Sequence, residues 1–383
     1  MDNLTPYSCP VCGNTDIHSI GYLNGKPYCR RCISFKGEEV EHKPSYPKKA
    51  PIHLSYELSP EQKELSDKLV ENYKKGIDSL VYAVCGSGKT ELTYKLFQYS
   101  LNKGHKVAFV VPRRDVVIEL YQRYKEVFSK NNILAIYGGN TANLVGDLLI
   151  MTSHQLFRFK NYFDLIVMDE IDAFPFEGNR VLQRLFFKAL RGNYVLMSAT
   201  PSKRLLNNFK KEGKDILRLF KRYHGNPIPV PTFIRSYFIL KIYTVIKNLR
   251  KFQLKNEKCF IFVPVIEMAK VLFYIINMFI KGGNYVSSIR EGREDIISDF
   301  KNGKYWFLVT TAVLERGVTV ERLNVIIYRA DHNIYSVATL VQIAGRVGRK
   351  ASFPTGEVLF IADKCTKEMS DAIKEIKRYN SDM

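Results

Sequence analysis

Two kinds of apolar spacing alternate along this chain. Leu80-Val81-Tyr82, Phe163 to Met168, Tyr194 to Met197, Lys258 to Val263 and Phe307 to Thr311 are short and almost continuously apolar. Such runs predict strands covered on both faces, because a half-exposed strand would alternate apolar with polar positions. Helix-compatible patterns lie between them, and the alternation of strand and helix fills roughly residues 55 to 220. Val271 to Ile280 is apolar over about one helix of core length, and Thr366 to Tyr379 is again spaced for a helix. The pattern predicts an α/β chain with parallel sheets.

Breaks in the pattern divide it. Residues 1–36 are cysteine-bearing, and Tyr22 to Tyr28 suits a short hairpin. Residues 37–54 are polar and carry Pro44, Pro47 and Pro51, as a linker would. A first lobe is expected over 55–224. The run His224-Gly225-Asn226-Pro227-Ile228-Pro229-Val230-Pro231 marks a hinge over 225–235, and a second lobe follows over 236–383.

Chemistry enters with Ala83-Val84-Cys85-Gly86-Ser87-Gly88-Lys89-Thr90-Glu91, which follows one strand pattern and opens a helix pattern. Gly86 and Gly88 allow backbone N–H groups to turn inward around phosphate oxygens, with Ser87 between them. Lys89 can reach the β- and γ-phosphates of ATP, and the Thr90 hydroxyl can ligate Mg²⁺. A plain glycine turn capped by Thr90 is the bland alternative. Against it stands Asp169-Glu170-Ile171-Asp172, at the end of the Phe163–Met168 strand, where an open parallel sheet binds its ligands. Asp169 would hold the Mg²⁺ shell and Glu170 would polarise the attacking water. Ser198-Ala199-Thr200-Pro201 ends the next strand and can hydrogen-bond to those acids.

Gln342-Ile343-Ala344-Gly345-Arg346-Val347-Gly348-Arg349 comes late in the chain. If it is helical, Gln342, Arg346 and Arg349 share one face. Two arginines suit the charge that develops on a γ-phosphate; a basic surface helix is the alternative. At the other end, the pairs Cys9 with Cys12 and Cys29 with Cys32, each separated by two residues, have the spacing of a tetrahedral four-cysteine Zn²⁺ site. Two disulfides are the alternative, and no secretory segment supports an oxidising destination.

The order of these blocks resembles the superfamily-2 helicases and translocases, from about Leu58 to Asp363. Leu58-Ser59-Pro60-Glu61-Gln62 is similar to their upstream glutamine motif, which implies that Gln62 contacts adenine. Val111-Pro112-Arg113-Arg114, Met151 to Leu156 and the Thr310-Thr311 block are similar to their strand-contacting motifs. They imply DNA contacts from Arg113, Arg114, Thr152, His154 and Thr311, any of which could instead serve a loop or a cap. The resemblance implies two RecA-like lobes with the nucleotide between them and Arg346 and Arg349 reaching across. With the N-terminal four-cysteine zinc-ribbon module and the DEID sequence, the chain most resembles the late-competence DNA-uptake ATPases of Gram-positive bacteria, the ComFA family. That implies a DNA-stimulated ATP hydrolase driving single-stranded DNA through the uptake channel. It also implies a cytoplasmic protein, peripheral at the inner membrane face, with partners such as ComFC.

Composition constrains rather than decides. Lys and Arg number 58 against 38 Asp and Glu, a formal charge of +20, spread in short clusters such as Lys210-Lys211 and Lys221-Arg222. A folded basic surface of this kind attracts polyanions in a salt-dependent way; anionic membrane would be attracted as well. No run of 18 apolar residues predicts a membrane span. An RNA helicase or a DNA-repair helicase of the same superfamily remains a rival, as does a zinc-dependent DNA-binding scaffold with a vestigial ATP site.

Overall fold

A computed structural model of the chain describes residues 7–32, 35, 37–42, 46–172, 176, 178–287, 290–311 and 320–383. The chain forms two compact units: residues 1–83 with 89–218, and residues 84–88 with 219–383.

The first unit begins with an antiparallel hairpin, β1 (Ile20–Leu23) and β2 (Lys26–Cys29), in which Ile20 pairs with Cys29. Asn24 and Gly25 both adopt positive φ at its two-residue turn, the conformation that matches the twist of paired strands. There follow α1 (Pro60–Lys74), β3 (Ser79–Ala83), α2 (Lys89–Leu92), α3 (Tyr94–Asn102), β4 (Val107–Val111), α4 (Arg114–Val127), β5 (Ile133–Ile136) and β6 (Leu148–Thr152). After a 3-10 segment at Ser153–Arg158 come β7 (Phe163–Met168), α5 (Arg180–Ala189), β8 (Leu190–Ser198), α6 (Lys203–Lys211) and β9 (Asp215–Leu219). The sheet order is β5-β6-β4-β7-β8-β3-β9. Every residue of β3, β4 and β6 is buried, and apart from Ser79 and Thr152 at their ends those strands are apolar throughout.

The second unit contains β10 (Thr232–Arg235), α7 (Phe238–Leu254), β11 (Lys258–Phe262), α8 (Ile266–Phe279), β12 (Gly283–Val286), α9 (Arg293–Lys301), β13 (Phe307–Thr310), β14 (Leu323–Tyr328), α10 (Val337–Ala344), β15 (Val358–Ala362) and α11 (Lys367–Ser381). Its strands are ordered β10-β15-β14-β11-β13-β12 and pair in parallel. Leu249, Phe252, Ile261, Val309 and Ile326 lie in its core.

Two sequence expectations are corrected. Residues 232–235, expected within the hinge, form β10 and pair with Leu359 to Ala362 of β15. The polar linker does not run free. Lys48 pairs with Asp147 at 3.0 Å, the Ala50 N–H donates to Asn102 at 2.8 Å, and the His53 N–H donates to Val127 at 3.1 Å. These contacts hold the described part of the segment against the first unit. Within α8, Ala269, Leu272 and Ile276 are buried, while Val271, Tyr274, Met278 and Phe279 are exposed.

Candidate functional site

β3 ends at Ala83 and α2 begins at Lys89, so the glycine-rich segment is the turn between a buried strand and a helix N-terminus. Gly86 and Gly88 both have φ of +82°, a conformation that a Cβ would strain. The Lys89 ammonium donates to the Ala83 carbonyl at 3.2 Å. Asp169 stands immediately beyond β7, and its Oδ1 accepts the Glu170 N–H at 2.7 Å. Desolvation, with Glu170 and Asp172 adding to it, pushes the Asp169 carboxyl up to about 6 against the opposing pull of Lys89. A carboxylate beside two other acids and one ammonium, with the Thr90 hydroxyl next to that ammonium in sequence, is a donor set suited to Mg²⁺-nucleotide. Glu170 adopts φ of +57°, which for a residue with a long side chain is a strained backbone. Strain of this kind persists where surrounding contacts enforce it, and it clusters at functional sites. Here the enforcing contacts include the Ile171 N–H on the Met197 carbonyl at 3.4 Å and the Thr200 hydroxyl on Asp172 at 2.5 Å. The two strand-end motifs are therefore hydrogen-bonded to each other.

Gln62 lies at the third position of α1. It accepts the Ser59 N–H at 2.9 Å through Oε1, while Ser59 accepts the Gln62 N–H at 3.2 Å. This reciprocal pair is a capping box, so the Gln62 side-chain oxygen caps the helix.

In the second unit, Gln342 is buried in α10, but the helix ends at Ala344. Arg346 and Arg349 lie beyond it in a turn, and the expectation that all three share one helical face is corrected. Gly345 caps the helix and Gly348 has φ of +66°, which breaks the helical path. A Cβ on Gly348 would run into the Pro354 carbonyl, and one on Gly345 would lie 2.8 Å from the Cys85 Cβ. Both glycines answer a need for close backbone approach.

Sequence reasoning misses Arg222. It groups with Lys221 as a surface cluster, yet it is only 1% exposed. Its guanidinium donates to the carbonyls of Gly345, Val347 and Gly348 at 3.0, 2.9 and 2.8 Å. The signal that could find it is its company: an arginine followed by Tyr-His-Gly-Asn-Pro is not part of a solvated lysine run.

The residues expected to contact a strand are partly gathered. Val111 of β4 pairs with Thr152 of β6, so Arg113, Arg114, Thr152 and His154 lie at the carboxyl ends of adjacent strands. Arg113 pairs with Asp115 at 3.3 Å, Arg114 lies over the Tyr137 ring, and Thr152 is buried. His154 stacks on Phe35, and desolvation lowers its pKa. Thr311 is buried after β13 in the second unit. The rest of that block, 312–319, lies outside the described residues.

The four cysteines Cys9, Cys12, Cys29 and Cys32 are buried, with their sulfurs within 4.8 Å of one another. The Cys12 and Cys29 sulfurs are 3.9 Å apart, far beyond the ~2.05 Å of a disulfide. That separation is near the roughly 3.8 Å edge of a tetrahedron with Zn–S bonds of ~2.3 Å. Burial works against ionising Cys9, yet N–H groups of Cys12 and Val11 directed at its sulfur hold its pKa below the ordinary value. Burial and the neighbouring thiols push Cys32 far up. The donor set fits Zn²⁺.

Two family models match the chain: "Type III restriction enzyme, res subunit" over residues 55–203 and "Helicase conserved C-terminal domain" over residues 241–351. Competence protein ComFA of Bacillus subtilis (strain 168) is 34% identical over 99% of this chain and 86% of its own length. The ComFA protein of Streptococcus pneumoniae is 31% identical over 98% and 90%. Among solved structures, S. cerevisiae Dbp5 bound to RNA and ADP BeF3 matches with a TM-score of 0.62 at 18% identity, over 85% of this chain and 92% of that one. RecG bound to a three-way DNA junction matches at 0.61 and 21%, over 86% and 47%. At these identities the likeness is one of fold: two RecA-like parallel-sheet lobes.

Proposed function

The chain belongs to the ComFA family of competence proteins, and from that premise we propose that it is a Mg²⁺-ATP-driven motor that moves single-stranded DNA during uptake. At the coarser level it is a helicase-type ATPase of competence. The observation that carries the finer reading is the Lys89–Asp169–Glu170 arrangement, a phosphate-binding ammonium beside an acidic strand end whose leading carboxyl is desolvated.

On this reading Gly86, Ser87 and Gly88 wrap the phosphates with backbone N–H groups, and Lys89 leaves the Ala83 carbonyl to neutralise the β- and γ-oxygens. Thr90 and Asp169 would hold the Mg²⁺, which would supply charge neutralisation at the phosphates. Glu170 orients the attacking water and takes its proton. Arg346 and Arg349 stabilise the negative charge that redistributes as the γ-phosphoryl leaves, and Gln342 assists in placing the water or phosphate. Arg113, Arg114, Thr152, His154 and Thr311 grip the strand. A formal charge of +20 supports a polyanionic partner. None of the helices among the described residues is long and apolar enough to cross a membrane. We place the protein's work in the cytoplasm, peripheral to the inner-membrane DNA channel and alongside ComFC.

ATP hydrolysis measured alone and with single-stranded DNA, RNA or duplex tests this reading. Single-stranded DNA should stimulate turnover most. Preferential stimulation by RNA would favour an RNA helicase, and no turnover at all would favour a scaffold.

A further inference from the structure

The segment Arg222-Tyr223-His224 touches two parts of the second unit that carry different motifs. The Tyr223 N–H donates to the Gly86 carbonyl at 3.1 Å, within the phosphate loop. The Arg222 guanidinium takes the three carbonyls of Gly345, Val347 and Gly348, and His224 Nε2 lies 3.0 Å from the same Gly348 oxygen. On the other side of the turn, Gly345 packs against Cys85, the residue before Gly86. One short segment therefore fastens the phosphate loop and the arginine-bearing turn.

We propose that Arg222 is a positioning residue for catalysis: its buried guanidinium holds the Gly345–Gly348 turn in the shape that presents Arg346 and Arg349. This rests on the reading of those two arginines as γ-phosphate groups. Three observations carry it. The carbonyls that Arg222 takes follow the end of α10, where the helix supplies no N–H to satisfy them. Its partners are neutral oxygens, and no carboxylate among the described residues forms an ion pair with it. A buried cation held only by carbonyls is costly if its role is stability alone, because a carboxylate would offset desolvation better. Finally, the fork geometry is specific to arginine: two nitrogens reach three oxygens, which a single lysine ammonium cannot reproduce. Burial, with Arg349 nearby, lowers the Arg222 pKa to about 10, which still leaves it charged at neutral pH.

A positional role predicts a different outcome from a structural one. Arg222→Gln should lower the basal kcat for ATP at least tenfold while KM changes less than threefold. Arg222→Lys should not rescue it, since charge returns without the fork. In the Arg346→Ala/Arg349→Ala background, Arg222→Gln should cost less than a further twofold, because both groups it positions are gone. Independent multiplication of the two losses would overturn the proposal. Amide hydrogen exchange gives a readout that does not depend on hydrolysis: exchange at residues 345–349 should accelerate at least tenfold in Arg222→Gln while β11 and β14 keep their protection. Unchanged exchange at the turn overturns the proposal even if the wild type hydrolyses no ATP, an outcome that would separately defeat the motor reading. If Arg222→Gln fails to fold, Arg222→Lys carries both measurements with the same expected outcomes.

Discussion

Replacing Cys29 by serine should cost the first unit stability beyond the cysteine module itself. The structural reason is docking. Val11 and Phe35 pack, partly buried, against the core of the first unit, and Val181 of α5 packs against the thiol cluster. Arg184 of α5 donates to the Cys12 carbonyl at 2.8 Å, and Phe35 stacks on His154. Structural Zn²⁺ contributes on the order of 10 kcal/mol to folding of such modules, so losing a ligand should unfold it. Full burial of Val or Phe is worth about 1.5–3 kcal/mol. Half of that for each of Val11 and Phe35, plus ~1 kcal/mol for the Arg184 hydrogen bond, gives roughly 3 kcal/mol. For a unit of this size that corresponds to a fall of about 6–12 °C in Tm. Differential scanning calorimetry with zinc determined by atomic emission measures both quantities. The variant should lose one zinc per chain and show the lower transition, while basal ATP turnover persists at permissive temperature. Wild-type protein without zinc would refute the metal assignment. A zinc-free variant whose first-unit transition is unmoved would refute the docking argument.

Lys89→Ala and Glu170→Gln should both abolish hydrolysis and separate in binding: the first weakens ATP affinity by removing the phosphate-binding ammonium, and the second retains it. Equal losses in a fluorescent-nucleotide titration would contradict the assigned roles. Arg346→Ala should act mainly on kcat, by about 10³-fold if it serves as a transition-state cation; a change confined to DNA affinity would contradict that. For pH, the folded-state pKa of Asp169 is raised to about 6, so its ionised form is disfavoured by folding and its protonated form dominates below that value. Mg²⁺-dependent nucleotide affinity should therefore fall about tenfold per pH unit below 6, as one proton competes with the metal. Binding without Mg²⁺ should lack that step, and identical pH profiles with and without the metal would refute the assignment.

The strands and the phosphate loop are legible in the sequence because their signals are local. A buried parallel strand must be apolar on both faces, and a phosphate-wrapping turn must contain glycine. The spacing of the four cysteines is likewise enough to bring their sulfurs together. The arginine turn is not legible, because periodicity extends a helix wherever residues allow it. What ends α10 is a set of distant contacts: Cys85 against Gly345, Pro354 against Gly348, and the Arg222 fork. The same blindness hides Arg222, whose burial depends on carbonyls more than a hundred positions later in the chain. Gln62 shows another limit: a residue type expected at a base can also complete a capping box, and only coordinates reveal its partner.

The central claim, that ATP turnover drives motion along single-stranded DNA, is tested most directly by displacement of streptavidin from a 3′- or 5′-biotinylated oligonucleotide. With Mg²⁺-ATP, the wild-type protein should strip streptavidin from one end much faster than spontaneous loss, and Glu170→Gln should bind the strand without displacing it. Hydrolysis stimulated by single strands, with displacement at neither end above the rate of Glu170→Gln, would contradict the account.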